Sequence, residues 1–212
     1  MSKTLHYVFD PLCGWCYGAG GTVSKLAGTP GVELRLLPSG LFCGEGARPM
    51  DDDFAAYAWS NDQRIERLTG QPFTERYRNN VLTDRQQMFD SGPATVALTA
   101  VALTAPEHEL AALKAIQHAR YVDGQNITAP DTLVAVLRTL GLDAAAQRLA
   151  GFDTELLDAN RDRVAKAQAL LRQFGARGVP SFILENKGQR ELLHAGNVFS
   201  NPQAFVERLA NA

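Results

Sequence analysis

Two cysteines set two residues apart, Cys13-Gly14-Trp15-Cys16, are the first residues in this chain whose types and spacing suggest chemistry. A two-residue spacer at a helix start brings the second sulfur within bonding reach of the first. That is the requirement for thiol–disulfide exchange. The first helical turn has unpaired N–H groups and a partial positive charge, and both favour a thiolate. Cysteines placed in this way titrate at about 3.5–7.5. Cys13 then reads as the exposed attacking thiolate. Cys16 reads as the partly buried thiol that resolves a mixed disulfide.

Other readings compete with this one. A CxxC pair can be half of a zinc site, but a structural zinc takes four protein ligands. The others would have to come from Cys43 and one of His6, His108, His118 or His194, which form no second ligand pair. Inert cysteines are a further reading. Redox chemistry is preferred, with no metal and no cofactor. Cys43, in a Gly-rich loop, is either a third redox thiol or a small buried side chain, and the second is favoured. Asp10, three residues before Cys13, is a proton relay to Cys16, a brake on the thiolates or a turn residue before Pro11. The turn is favoured. Val179-Pro180 is either a strand entry or a cis joint that presents the Val179 backbone to an extended peptide.

The surrounding elements must hold these residues in place. Leu5–Phe9 is a strand candidate broken by Asp10-Pro11. A helix from near Gly14 to before Gly28 carries the cysteines at its start. Val32–Leu37 is a second strand, so the opening reads β-α-β. From Asp51 to about Gln173 nearly everything is helical in pattern, with Ser91-Gly92-Pro93 capping an apolar helix. Residues 179–185 and 191–194 then read as a hairpin about Asn186-Lys187-Gly188-Gln189. Asn201-Pro202 opens a last helix. The expected fold is α/β, with a four-stranded mixed sheet built from both ends of the chain. Residues 1–40 and 176–212 form one discontinuous domain, and 41–175 form a helical insertion.

The 212 residues include 21 Lys and Arg against 23 Asp and Glu, a net charge of −2. That balance excludes a dedicated nucleic-acid binder. Three cysteines are too few for a disulfide scaffold. The N-terminus lacks the apolar core and cleavage site of a secretory signal, and no segment is apolar enough to span a membrane. The cytoplasm is the expected compartment.

Four stretches together resemble the DsbA family of thioredoxin-fold proteins. They are Phe9–Cys16, Gly40-Leu41-Phe42, Ala119–Ile127 and Gly178-Val179-Pro180-Ser181-Phe182. The similarity covers nearly the whole chain and is nearest to the cytoplasmic disulfide-isomerase branch. It implies a thioredoxin-like fold with a helical insertion, and a cis Pro180 facing the cysteines. The Gly14-Trp15 spacer departs from the Pro-His of the periplasmic oxidases, the Gly-Pro of thioredoxins and the Gly-His of eukaryotic isomerases. Trp15 offers Cys13 no cation, so a couple less oxidising than the periplasmic oxidases is expected. Potentials in this fold span about −270 to −120 mV.

The resemblance implies a disulfide isomerase or reductase acting on disulfide-containing proteins or peptides and on low-molecular-weight thiols such as glutathione. Cys13 and Cys16 are catalytic. Asp10, Pro11, Gly14 and Trp15 form the active-site loop, and Val179 and Pro180 contact substrate. Phe42, Met50, Phe54 and Met88 are candidates for an apolar groove, with Tyr57 and Trp59 as core or groove lining. Two alternatives are a glutathione-dependent transferase or isomerase on the same fold, and a non-catalytic peptide- or metal-binding module. The intact cysteine pair counts against the first, because those relatives carry a Ser at the first cysteine position.

Overall fold

The structure, a computed structural model, describes residues 3–151 and 153–211. Strand β1 (Lys3–Phe9) has Val and aromatic residues that suit a sheet interior. It pairs in parallel with β2 (Val32–Pro38), in a register running from Lys3↔Val32 to Phe9↔Pro38. On its other side β1 pairs antiparallel with β5 (Ser181–Asn186), which pairs antiparallel with β6 (Gln189–Leu193). The sheet order is β2-β1-β5-β6, so strands from the two ends of the chain meet at its centre. Lys187 and Gly188 both have positive φ, the pattern of a tight two-residue hairpin turn.

Alternation along β1 separates two cores. Leu5, Tyr7 and Phe9 face the larger one, which also takes Val23, Phe182, Phe205 and Leu209. Val8 and Ile183 face the smaller one, closed by Ala167 and Leu170. The last two belong to the long helix α9 (Thr154–Gln173). Arg163 of α9 donates to the Leu36 carbonyl of β2 at 3.2 Å and pairs with Glu109, which ties the helices to the sheet.

The helix expected over residues 14–27 is two helices, α1 (Gly14–Gly18) and α2 (Gly20–Ala27). Gly18, Gly20 and Gly21 weaken the helix here, and Ala19 lies at the break. Residues 51–173 are less uniformly helical than their periodicity predicts. Helix α3 (Asp52–Thr69) is capped by the Asp51 carboxylate, which accepts from the Phe54 N–H at 2.7 Å. A short turn, α4 (Glu75–Tyr77), runs into a π-helical turn at Arg78–Leu82. The chain then extends at β4 (Met88–Phe89), which pairs with β3 (Arg48–Pro49). This ribbon closes the 49–88 excursion, a long-range pairing that local periodicity does not reveal.

Helix α5 (Gly92–Thr104) is apolar on nearly every face and lies inside the helical region. Around it are α6 (Glu109–Tyr121), α7 (Pro130–Thr139) and α8 (Asp143–Gly151). Two short helices, α10 (Asn197–Ser200) and α11 (Pro202–Asn211), finish the chain. Among the described residues no helix is long and apolar enough to cross a membrane.

Candidate active site

Asp10-Pro11 ends β1, and the chain turns before α1. The Cys13 N–H closes that turn on the Asp10 carbonyl at 3.1 Å, and Cys13 stands at the N-cap of α1. Both motif cysteines are free thiols. Cys13, expected to be exposed, is buried at 8% exposure because Val179 covers it, and Cys16 is deeper still at 1%. Burial pushes the Cys16 thiol well above its ordinary range, and its hydrogen bond with Cys13 pushes the same way.

The Asp10 carboxyl is fully buried and fully engaged. It accepts from the Leu12 N–H at 2.9 Å, the Phe42 N–H at 3.3 Å and the Ser91 hydroxyl at 2.7 Å. Burial raises its pKa, and these donors oppose the rise. This bonding is that of a turn clamp. Ser91, expected to cap α5, makes no side-chain cap bond because its hydroxyl goes to Asp10. Pro11 is buried in the same turn.

Two tyrosines hold carbonyls of the motif and of the turn before it. Tyr7 of β1 donates to Cys16 O at 3.2 Å, and Tyr121 of α6 donates to Leu12 O at 2.7 Å. Opposite the motif, the Val179–Pro180 peptide bond is cis. The Cys13 thiol donates to the Val179 carbonyl oxygen at 3.6 Å. The predicted loop and the predicted Val179-Pro180 joint therefore meet at one sulfur.

A mostly apolar cavity of about 230 Å³ opens beside Cys13, Gly14 and Trp15. Phe42, Phe54 and Tyr57 line it, as expected. Met50 instead lies buried in the core, and Met88 points outward. Trp59 lines a different depression, where the Arg78 guanidinium lies over its ring at 5.2 Å. Trp15 packs edge-on against Phe199 of α10 at 5.0 Å, with the Arg64 guanidinium 5.7 Å from its ring. Cys43 is half-buried and outside the cavity lining, and burial raises its thiol. Among the described residues no group of three or more His, Cys, Asp or Glu could hold a metal ion.

Asp62, Tyr77, Phe89 and Tyr121 also line the cavity, and the sequence gives no sign of it. Asp62 sits within a polar stretch of α3 and resembles its surface neighbours. Tyr121 belongs to the Ala119–Ile127 stretch, which marks the region but not the contact.

The DSBA-like thioredoxin domain model matches residues 4–209. A comparison with curated proteins finds no significant match. Among solved structures, the cytosolic disulfide reductase DsbM from Pseudomonas aeruginosa superposes with a TM-score of 0.87 at 33% identity, over 98% of this chain and 97% of that one. The same protein with GSH gives 0.85 at 31%, over 98% of each chain. A candidate protein disulfide isomerase from Nitrosomonas europaea shares the fold at 0.80 and 22%, over 100% of this chain and 97% of its own. A strand running into a CxxC helix start that faces an X-Pro joint, together with these matches, places the chain in the DSBA-like thioredoxin domain family, with the fold of its thiol–disulfide oxidoreductases.

Proposed function

We propose that this protein is a disulfide reductase, a thiol–disulfide oxidoreductase that rests as the dithiol in the cytoplasm and exchanges with glutathione and with protein or peptide disulfides. The observation that carries the reading is the asymmetry of the pair. Cys13 stands at the cavity edge beside Val179, and Cys16 lies beneath it.

The Cys13 thiolate attacks one sulfur of a substrate disulfide. A Cys13–substrate disulfide forms, and the other substrate sulfur leaves as a thiolate and takes a proton. Cys16 then loses its proton and attacks the Cys13 sulfur. The second substrate thiol leaves, and a Cys13–Cys16 disulfide remains. Two electrons have passed to the substrate, and two molecules of glutathione return them to the enzyme. Val179 and Pro180 contact the substrate backbone, and Asp10, Pro11, Gly14 and Trp15 hold the loop. In this reading residues 1–40 and 176–212 form the redox domain, and 41–175 supply the insertion that covers it.

Strong oxidants of this fold stabilise the reduced form as a thiolate. Trp15 brings no charge to Cys13 to hold it as a thiolate, which favours a reducing couple. The disulfide reductase activity of the Pseudomonas protein, and the glutathione in one of its structures, support the same assignment. The test is redox equilibration in glutathione buffers, read by alkylation and mass. A midpoint nearer about −270 mV than −120 mV is expected. No intramolecular disulfide at any ratio would overturn the reading.

A further inference from the structure

Asp62 of α3 is 5% exposed and lines the same cavity as Cys13. It packs directly on the motif, because a Cβ placed on Gly14 would stand 2.5 Å from its Oδ1. Its Oδ2 accepts from the Tyr77 hydroxyl at 3.0 Å. Arg120 of α6 is buried with its guanidinium 5.4 Å from the Tyr77 ring and 5.7 Å from the Tyr121 ring, and it attracts the Asp62 carboxylate. Among the described residues, the titratable and charged groups facing Asp62 are Tyr77 from α4 and Arg120 and Tyr121 from α6, and Cys13 lies on the wall of the same cavity. The Tyr121 hydroxyl is already given to Leu12.

We infer that Asp62 is a positioning residue for the reaction proposed above: its carboxyl, set against Gly14 in the wall of the Cys13 cavity, governs by its charge how readily Cys13 ionises. A neutral carboxyl leaves the Arg120 charge uncompensated near the cavity and favours a thiolate. An ionised carboxyl cancels that charge, adds a like charge and favours the thiol. The effect is reciprocal, so a thiolate at Cys13 draws a proton to Asp62. Burial raises the Asp62 carboxyl to about 7, against the pull of Tyr77 and Arg120. Its charge therefore changes in the range where thiol exchange runs.

This inference rests on the redox reading of Cys13, but its test does not need turnover. Iodoacetamide alkylation of Cys13 is followed in the reduced full-length protein from about pH 5 to 9, with the site read by peptide mass. Wild type and Asp62→Asn should coincide at the acid end, where both side chains are neutral. They should part as pH rises through about 7, with Asp62→Asn about three- to tenfold faster near pH 8. Tyr77→Phe removes the donor that holds Asp62 ionised, so its rate should rise above wild type over the same range. A purely structural role would lower the melting temperature and leave the shape of the profile unchanged. Superimposable profiles for all three proteins overturn the inference. Failure of wild type to exchange with glutathione disulfide overturns the reductase reading instead, and the alkylation profile still decides on Asp62.

Discussion

The Cys13 thiol and the Val179 carbonyl oxygen lie 3.6 Å apart, although 166 positions separate them in sequence. A thiol can donate to that oxygen, whereas a thiolate can only be repelled by it. The contact therefore belongs to the dithiol form. In the proposed reaction an incoming disulfide replaces it as Cys13 ionises.

The division of labour between the two cysteines is checked by trapping. Cys16→Ser should accumulate a mixed disulfide at Cys13 when incubated with glutathione disulfide, visible as an added glutathione by intact mass. Cys13→Ser should form no adduct at Cys16, which is buried. Adducts at Cys16 would reverse the assignment.

Asp10 predicts a stability loss. Asp10→Ala leaves the Leu12 and Phe42 N–H groups and the Ser91 hydroxyl without their acceptor. An unsatisfied buried donor costs about 1–3 kcal/mol. A loss of about 2–4 kcal/mol in urea unfolding is expected. A loss well under about 1 kcal/mol would remove Asp10 from the role of turn clamp.

Asp62 predicts a pH dependence of stability. Its carboxyl is raised to about 7 in the folded protein, whereas an unfolded Asp titrates near about 3.9. Between those values the folded state binds the extra proton. The stability linked to that proton is complete below the unfolded value and is lost as pH rises through the folded one. Asp62→Asn, which does not titrate, should match wild type near pH 4. By pH 8 it should be more stable by a few kcal/mol, since a tenfold change in proton affinity is worth about 1.4 kcal/mol. Paired denaturation curves at the two pH values measure this.

Gly14 and Asp62 should be energetically coupled. Gly14→Ala brings a Cβ to 2.5 Å from Asp62 Oδ1 and 3.2 Å from Ile65 Cδ1. Overpacking of this kind costs about 1–3 kcal/mol. In an Asp62→Ala background the cost should fall by at least about 1 kcal/mol in a double-mutant cycle. Strict additivity would remove the contact.

Features with local causes could be read from the sequence alone. β1, the Asp10-Pro11 break, the CxxC start of α1, the Lys187-Gly188 hairpin and the Asn201-Pro202 start of α11 follow from backbone preferences a few residues long. The order of strand, break and CxxC is enough to put Cys13 at a helix start, and Val179-Pro180 is legible as a joint. What only the tertiary structure decided are relations between distant segments. The 48–49/88–89 ribbon depends on long-range pairing, so local pattern reads Met88-Phe89 as part of the helical run. Ser91 reads locally as a cap, but its hydroxyl is taken by a carboxylate 81 positions away. Asp62 looks like one more polar residue of α3 until that helix docks on Gly14. Docking is set by which apolar faces bury together, and burial then turns an ordinary surface carboxylate into one that titrates near neutrality.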